Sequence, residues 1–213
     1  MITCLVFDFG RVISASKPAS LFQAYEKDLG LEPNSINTVM FDSVHWYRAL
    51  TGEIDMSTYW QTIGPSLNLD SPQAVKQFQE RYYQDEEINI EVKQLIHELS
   101  QTHNLAVLSN HPSGLQEWLA DWQLDGLFDV IICSADVGVV KPDKRIFELL
   151  LERLEVPPEQ IVFIDDTTEH VLASHALGMH GVVFSSAAQL KKDLRDLGCY
   201  LMQSPFLEKR RQL

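Results

Sequence analysis

The segment Leu5-Val6-Phe7-Asp8-Phe9-Gly10 is an apolar run that ends in a carboxylate and then a glycine. Two later segments repeat the pattern of an apolar run followed by polar residues, Leu105-Ala106-Val107-Leu108-Ser109-Asn110 and Ile161-Val162-Phe163-Ile164-Asp165-Asp166. Near-continuous apolar runs are typical of parallel strands that are buried on both faces. Because the C-terminal ends of parallel strands lie along one edge of a sheet, where ligands bind, we expect the polar residues after the three runs to meet in one site.

The polar residues of these segments have the chemistry of a metal-assisted phosphate site. The adjacent carboxylates of Asp165 and Asp166 repel each other, and a bound cation would offset that repulsion. The hydroxyl of Ser109 and the amide of Asn110 can donate hydrogen bonds to phosphate oxygens. Because such residues are also common in turns, each segment is weak evidence by itself. Together with Asp8, they predict a divalent cation that holds a phosphorylated substrate.

Strand-like and helical segments alternate over most of the chain. Apolar runs predict strands at residues 2–9, 105–108, 130–133, 161–164 and 181–184. Amphipathic spacing predicts helices at residues 91–101, 115–122, 144–154, 169–177 and 187–197. This alternation predicts an α/β fold with a doubly wound, Rossmann-like parallel sheet as its core.

One interval, residues 17–87, contains no convincing buried strand. Its pattern predicts helices at residues 19–29, 35–50, 56–63 and 72–83. We interpret the interval as a helical cap inserted after the first strand, where it would cover the site like a lid. The predicted domains are therefore a catalytic core of residues 1–16 and 88–213 and a cap of residues 17–87. The last stretch, 203–213, is predicted to be a loose tail.

Composition excludes several classes of partner. The 213 residues carry a formal net charge of −13, which argues against nucleic acid or an anionic membrane as the main partner. Asp8 interrupts the apolar N-terminus and no basic region precedes it, so we do not expect a signal peptide there. No apolar stretch approaches the length of a transmembrane helix. The three cysteines do not suggest a disulfide framework or a zinc site. We expect a cytoplasmic monomer or homodimer whose partner is a small phosphorylated molecule.

Four short motifs lie in order along the chain: Asp8-Phe9-Gly10-Arg11-Val12, Ser109-Asn110, Lys141-Pro142-Asp143 and Asp165-Asp166. In order and spacing they resemble the four motifs of the haloacid dehalogenase superfamily of hydrolases. The helical interval fits the cap of the helical-cap subgroup. Thr51-Gly52-Glu53-Ile54 is similar to cap sequences of sugar-phosphate phosphatases of the glucose-1-phosphate type. Each motif is weak alone, but the ordered set is strong, and the resemblance covers nearly the whole chain.

The resemblance implies a Mg²⁺-dependent phosphatase that works through an aspartyl-phosphate. Asp8 would be the nucleophile that attacks phosphorus. The metal ligands would be Asp8, the carbonyl of Gly10, and Asp166, with Asp165 as an inner or water-mediated partner. Lys141 would be the second catalytic residue, because it neutralises charge at the transferring phosphoryl group.

The residues predicted to bind the substrate follow the motifs closely. The resemblance assigns the phosphoryl group to Ser109, Asn110 and Lys141. Arg11 follows the catalytic turn and could contact the substrate or the cap. His111 follows the second motif and could face the site as a proton donor, although a His beside a turn more often only hydrogen-bonds. The remaining histidines, among them His170, show no metal-ligand grouping and are interpreted as structural or surface residues.

One departure from the family pattern concerns the general acid. Most phosphatases of the superfamily have an Asp two residues after the nucleophile, and here that position is Gly10. General acid catalysis contributes about 10²–10⁴-fold, so its loss would slow hydrolysis of ordinary phosphomonoesters. The leaving group of a sugar 1-phosphate is less basic and needs protonation less. A sugar phosphate is therefore the leading hypothesis for the substrate.

Other functions are also consistent with these motifs. The first alternative is a non-catalytic or strongly attenuated protein that binds phosphorylated metabolites. A 2-haloacid dehalogenase is less consistent, because those enzymes need no metal and Asp165-Asp166 preserves a metal-binding signature. A phosphomutase is disfavoured by Gly10. The aromatic residues of the cap could stack on a sugar, but we favour the interpretation that most of them fill a small helical core. They include Tyr25, Trp46, Tyr47, Tyr59 and Trp60.

Overall fold

The computed structural model describes residues 1–199, and its centre is a sheet of five parallel strands. The strands are β1 (Cys4–Phe7), β2 (Asn104–Ser109), β3 (Val130–Cys133), β4 (Ile161–Asp165) and β5 (His180–Val183). Their order across the sheet is β3-β2-β1-β4-β5, so β1 lies in the middle. The predicted tail at 203–213, and the part of the predicted core beyond residue 199, lie outside the described residues.

The helices fall into two groups along the chain. Those that precede β2 are α1 (Ala19–Leu29), α2 (Ile36–Phe41), α3 (Val44–Leu50), α4 (Met56–Ile63), α5 (Pro72–Gln84) and α6 (Ile90–Leu99). Those that follow β2 are α7 (Leu115–Asp121), α8 (Ser134–Val137), α9 (Lys144–Leu154), α10 (Thr168–His175) and α11 (Ala187–Asp196). Short 3₁₀ turns lie at Gly64–Leu67, Asp125–Leu127 and Pro158–Gln160.

Both faces of the sheet are covered, as the near-continuous apolar strands predict. Side chains alternate along β1: Leu5 and Phe7 pack on the face covered by α6, α7 and α11, whereas Cys4 and Val6 pack on the face covered by α9 and α10. The doubly wound α/β fold is thus confirmed. The first strand is shorter than the predicted 2–9, because the chain leaves the sheet at Asp8 and enters a turn.

Helices α1 to α5 enclose a hydrophobic cluster of their own. Tyr25, Tyr59 and Trp60 are fully buried in it, in agreement with the interpretation that most cap aromatics form a helical core. Tyr47, by contrast, is 53% exposed. The segment 35–50, predicted as one helix, is two, because the hydroxyl of Ser43 accepts a hydrogen bond from the amide of Trp46 and begins a new helix there.

Two adjacent segments of the chain connect the sheet to the helical unit, that is, to helices α1 to α5. Ser14 and Ile88 form an antiparallel bridge, and the amide of Ala15 donates to the carbonyl of Glu87 at 2.7 Å. Hydrogen bonds across this bridge hold the two crossings side by side. We propose that residues 17–87 form the cap and that the paired segments are its attachment to the core.

The helical unit also contacts the core where Leu50 and Gly52 meet the start of α8. The hydroxyl of Ser134 donates to the carbonyl of Leu50 at 2.7 Å. Gly52 has a φ of +71°, and a β-carbon placed there would lie 2.2 Å from the carbonyl oxygen of Ala135. Only a glycine fits so close an approach of two backbones, so this contact helps to position the helical unit over the C-terminal edge of the sheet.

Among residues 1–199, no helix is both long enough and apolar enough to cross a membrane.

Candidate active site

Asp8 lies at the C-terminal end of the central strand. Its amide donates to the carbonyl of Ile164 on β4 at 2.8 Å, so the backbone is still tied to the sheet where the side chain leaves it. A wide turn, Phe9–Ile13, follows and is closed by a 2.8 Å hydrogen bond from the amide of Ser14 to the carbonyl of Phe9. Within this turn Arg11 has a φ of +59°, an uncommon conformation for a residue with a side chain.

Within residues 1–199, the polar contacts of the Asp8 side chain all fall on one carboxylate oxygen. Oδ1 accepts hydrogen bonds from the amide of Phe9 and from the hydroxyl of Ser109, both at 2.7 Å. The ammonium Nζ of Lys141 lies 2.9 Å from the same oxygen. Oδ2 therefore has no hydrogen-bond partner within the described part of the chain. The carboxylate is fixed through one oxygen, and the other remains available for a substrate or a cation.

Lys141 is buried between two carboxylates. Its Nζ lies 2.9 Å from Oδ1 of Asp8 and 2.6 Å from Oδ2 of Asp165, and it donates to the carbonyl of Leu108 at 3.0 Å. Burial opposes the charge, but the two carboxylates outweigh it and raise the pKa of Lys141 above its ordinary value. For Asp8, burial dominates and raises the pKa of its carboxyl, with Lys141 acting in the opposite direction.

The side chain of Asn110 holds the backbone of Lys141. Its Nδ2 donates to the carbonyl of Lys141 at 2.8 Å, and its Oδ1 accepts from the amide of Lys141 at 2.7 Å. Both ends of the side-chain amide are thus engaged with the backbone of one residue. In this arrangement Asn110 positions Lys141, and its predicted contact with phosphate stays a prediction.

Asp165 is fully buried at the end of β4. Its Oδ1 accepts from the amide of Thr167 at 2.8 Å, and Nδ1 of His170 lies 3.0 Å from its Oδ2. Burial would raise the pKa of Asp165, but the hydrogen bond with His170 and the charge of Lys141 prevail and lower it to about 2. Both oxygens of Asp165 have protein partners, so it is the most firmly anchored carboxylate of the site.

Asp166 is the most exposed of the three site carboxylates. Nε of Arg11, whose side chain is 67% exposed, lies 3.2 Å from its Oδ2. The hydroxyl of Thr167 donates to its Oδ1 at 3.3 Å. The side chain of Asp166 is 17% exposed, so the pair is open to solvent on the Arg11 side, where such contacts contribute little stability. Asp166 can therefore exchange Arg11 for another cation at small cost.

The acidic residues at this edge form a set that fits a divalent cation. One carboxylate oxygen each of Asp8, Asp165 and Asp166 lies within 4.8 Å of the others. Hard oxygen donors suit Mg²⁺, which is held by one or two carboxylates together with phosphate and water. Lys141 is the single buried cation in contact with this set among residues 1–199. The donor chemistry and the excess of negative charge are what a magnesium site requires.

Gly10 is conformationally ordinary. Its φ and ψ are −63° and 125°, which any L-residue can adopt. A β-carbon placed there would meet no atom within 4 Å. Neither packing nor backbone conformation therefore requires a glycine at this position.

A cavity of about 830 Å³ opens above the carboxylates, between the sheet edge and the helical unit. Its floor is formed by site residues that include Asp8, Ser109 and Asp166. Most of its upper wall comes from α1 to α5 and is apolar or aromatic. This volume is in the range of small-molecule sites. The cavity can hold a small molecule that contacts both Asp8 and the helices.

His111 lines the same cavity. Its ring Nδ1 lies 2.6 Å from the carbonyl of Pro112, and its ring packs edge-on against Phe9 with centroids 5.2 Å apart. Burial lowers the pKa of His111, so its neutral form predominates at neutral pH. The predicted role of His111 in substrate binding stays a prediction.

The sequence prediction places most of the cluster but omits two of its members. Ser109, Lys141 and the three carboxylates meet at one edge, and Arg11 reaches it through Asp166. Thr167 and His170, which hydrogen-bond to the acidic pair, were not among the predicted site residues. A usable signal was the position of His170 in the first turn of the helix that follows the Asp165-Asp166 motif.

Comparisons with known proteins agree with the family that the motifs resemble. A family model described as haloacid dehalogenase-like hydrolase matches residues 37–184. A sesquiterpene phosphatase of Aspergillus oryzae is 26% identical over 200 residues, which cover 91% of this chain and 96% of that protein. Acyl-CoA dehydrogenase family member 10 of Mus musculus is 27% identical, but the match covers only 19% of its length.

Among solved structures, a haloacid dehalogenase-family enzyme of Bacteroides thetaiotaomicron has the same fold. It was crystallised with magnesium and inorganic phosphate, and it matches with a TM-score of 0.72 over 87% of this chain and 96% of that one. The sequence identity is 16%, so this likeness concerns the fold alone.

Proposed function

Because the chain belongs to the haloacid dehalogenase-like hydrolase family, we propose that it is a Mg²⁺-dependent phosphatase acting on a small phosphorylated metabolite. The proposal rests on the charged groups that surround Asp8. Oxygens of Asp8, Asp165 and Asp166 lie within 4.8 Å of one another, and Nζ of Lys141 lies 2.9 Å from Asp8. The relative that is named a phosphatase supports the same reaction class.

In the proposed reaction Asp8 is the nucleophile. Its free oxygen attacks phosphorus, the bond from phosphorus to the ester oxygen breaks, and the electron pair leaves with that oxygen, which takes a proton from water. Water then attacks phosphorus of the aspartyl-phosphate, releasing inorganic phosphate and restoring the carboxylate. Lys141 and Ser109 hold Asp8 through Oδ1, which fixes the direction of attack.

The metal site is proposed on the same three carboxylates. Asp8, Asp166 and the carbonyl of Gly10 would hold Mg²⁺, with Asp165 directly or through water. When bound, Mg²⁺ would neutralise negative charge on the transferring phosphoryl group. Arg11 gives up its contact with Asp166 in this arrangement and becomes available to the substrate.

We expect Asp166→Asn to remove the stabilising effect of magnesium. At a concentration of about 100 times its dissociation constant, a ligand stabilises the folded protein by about 2.7 kcal/mol, which thermal unfolding with and without MgCl₂ detects. The exposed Asp125 offers a matched control, because Asp125→Asn leaves the proposed site intact. An Asp166→Asn variant that responds to MgCl₂ like the wild type would contradict the assignment.

The substrate class is constrained by Gly10. Without a carboxylate at this position, leaving groups of low basicity are favoured because they depart without a proton. A sugar 1-phosphate, the substrate predicted from the sequence, meets this condition. Turnover of a panel of sugar phosphates with Mg²⁺ tests the prediction, and no turnover of any of them would remove it.

We expect Gly10→Asp to accelerate hydrolysis of esters with basic leaving groups. The backbone at Gly10 accepts a side chain and nothing lies within 4 Å of its β-carbon. A carboxyl placed there can protonate the leaving oxygen. We expect the rate with an alkyl phosphate to rise by about 10²-fold relative to the rate with acetyl phosphate. Gly10→Asn is the control of equal size without an acid, and an equal gain in both variants would refute the explanation.

The second candidate function is that of a phosphate-binding protein without catalytic activity. Turnover of phosphate compounds distinguishes it from the proposed phosphatase. Such a protein would bind Mg²⁺ and phosphate but would hydrolyse neither acetyl phosphate nor aryl phosphates. The combination of Asp8, Lys141 and the acidic pair in one cluster supports the enzyme.

The dehalogenase alternative predicts release of halide from a 2-haloacid without Mg²⁺. The cytoplasmic location and the monomer or homodimer stay predictions.

A further inference from the structure

The upper wall of the 830 Å³ cavity is more apolar than the binding of a sugar requires. Among its residues from helices α1 to α5, Asn37 is the single non-aromatic polar residue, and the others are apolar or aromatic. They include Phe22, Met40, Phe41, Trp46, Leu50 and Met56. A wall of this composition gains free energy from burying hydrocarbon, and it offers little to a molecule that carries several hydroxyls.

Two of the three tyrosine hydroxyls on this wall, those of Tyr59 and Tyr83, already have protein partners. The hydroxyl of Tyr59 donates to the carbonyl of Met40. The oxygen of Tyr83 accepts from Nε1 of Trp60 at 3.1 Å. These groups hold the helices together, so binding a sugar through them would compete with existing contacts. A site that reads sugar hydroxyls would need polar groups left open for that purpose.

The cation that lines the wall is also paired. Nζ of Lys17 lies 2.6 Å from Oε2 of Glu86 and 4.7 Å from the centre of the Tyr82 ring. Its side chain is 6% exposed. The charge of Lys17 is therefore neutralised within the protein. Lys17 offers no unpaired positive charge to a second anionic group of a substrate.

We propose that the leaving group of the substrate is a largely apolar alcohol or phenol, whose hydrocarbon packs against this wall while its phosphoryl group lies at Asp8. This inference rests on the proposed phosphatase function and specifies its substrate class. Two sources share the chemistry, an aryl phosphate and a long-chain alkyl or isoprenoid phosphate. The aryl phosphate has the less basic leaving group, which suits the absence of an acid at Gly10.

The first test is a homologous series of n-alkyl phosphates, from ethyl to octyl, assayed with Mg²⁺. Leaving-group basicity changes little along this series, whereas buried hydrocarbon increases. We expect kcat/KM to rise by up to about fourfold per methylene, which corresponds to about 0.8 kcal/mol, until the wall is filled. Phenyl and 2-naphthyl phosphate form the aryl arm, and the larger ring is expected to be preferred. Flat or falling values in both arms would overturn the inference.

The second test changes the wall itself. We expect Trp46→Ala to reduce the octyl-to-ethyl ratio of kcat/KM by at least about fivefold. Tyr47→Ala is the matched control, because Tyr47 is the next residue of the same helix, is 53% exposed and does not line the cavity. Since the ratio compares two substrates of one enzyme, partial misfolding does not change it. An unchanged ratio in Trp46→Ala would contradict the assignment of the wall.

Acetyl phosphate separates failure of this inference from failure of the phosphatase proposal. It has a leaving group of low basicity and no hydrocarbon that could reach the wall. If the protein hydrolyses acetyl phosphate but shows a flat series in both arms, the inference alone is wrong. If it hydrolyses no phosphate compound, the phosphatase proposal fails and the inference falls with it. Glucose 1-phosphate turned over faster than octyl and naphthyl phosphate would favour the sugar hypothesis instead.

Discussion

Asp8→Asn is expected to reduce phosphatase turnover by about 10⁴-fold or more, because an amide cannot form the acyl-phosphate intermediate. The substitution preserves the size of the side chain. Lys141 keeps its 2.6 Å contact with Asp165, so the variant should fold. The measurement is kcat/KM with acetyl phosphate and the best ester at saturating Mg²⁺.

A matched control separates the nucleophile from the general loss of a carboxylate. Asp143 caps α9 at the surface by accepting a hydrogen bond from the amide of Arg145 at 2.9 Å. Asparagine caps a helix about as well as aspartate, so Asp143→Asn should retain nearly full activity. An Asp8→Asn variant with activity close to that of Asp143→Asn would reject Asp8 as the attacking group.

Lys141→Met is expected to lower the free energy of unfolding by about 3–5 kcal/mol. The substitution leaves the buried carboxylates of Asp8 and Asp165 without the cation that lies 2.9 Å and 2.6 Å from them, and removal of one partner from a buried ion pair is costly. Activity should fall by about 10²–10³-fold, because a charge at the transferring phosphoryl group is lost. Urea denaturation and steady-state kinetics measure the two effects.

Lys144 offers the control for this experiment. It lies at the surface and pairs with Glu148 at 2.6 Å, with side chains 67% and 48% exposed. An exposed pair at this spacing contributes only about 0.3–0.5 kcal/mol, so Lys144→Met should unfold at nearly the wild-type urea concentration. We also expect MgCl₂ to restore part of the stability of Lys141→Met. Equal urea midpoints for the two variants would show that Lys141 does not neutralise the buried carboxylates.

The sequence was sufficient to predict the sheet and those residues of the candidate active site that directly follow strands. Strand ends of a parallel sheet converge whatever the details of packing, so Asp8, Ser109 and Asp165 could be placed together from apolar runs alone. Lys141 could be included because it belongs to a motif that resembles a known one. The division of 35–50 into two helices was missed, because a short cap at Ser43 outweighs the amphipathic pattern.

The contacts within the site depend on directions that a linear pattern does not contain. His170 reaches Asp165 because of the rotation of α10 relative to the end of β4. Asn110 uses its amide on the backbone of Lys141, which depends on how two distant loops meet. The largely apolar character of the cavity wall likewise depends on which faces of α1 to α5 line the cavity. Each of these is set by tertiary packing.

Chemical trapping of the proposed aspartyl-phosphate tests the role of Asp8 as nucleophile most directly. The protein is mixed with acetyl phosphate and Mg²⁺, quenched, treated with borohydride, which reduces an aspartyl-phosphate to homoserine, and digested for mass spectrometry. We expect homoserine at position 8 of the wild type, in a metal-dependent amount, and none at this position in Asp8→Asn. Reduction at another carboxylate, or continued turnover with position 8 unmodified, would contradict this role.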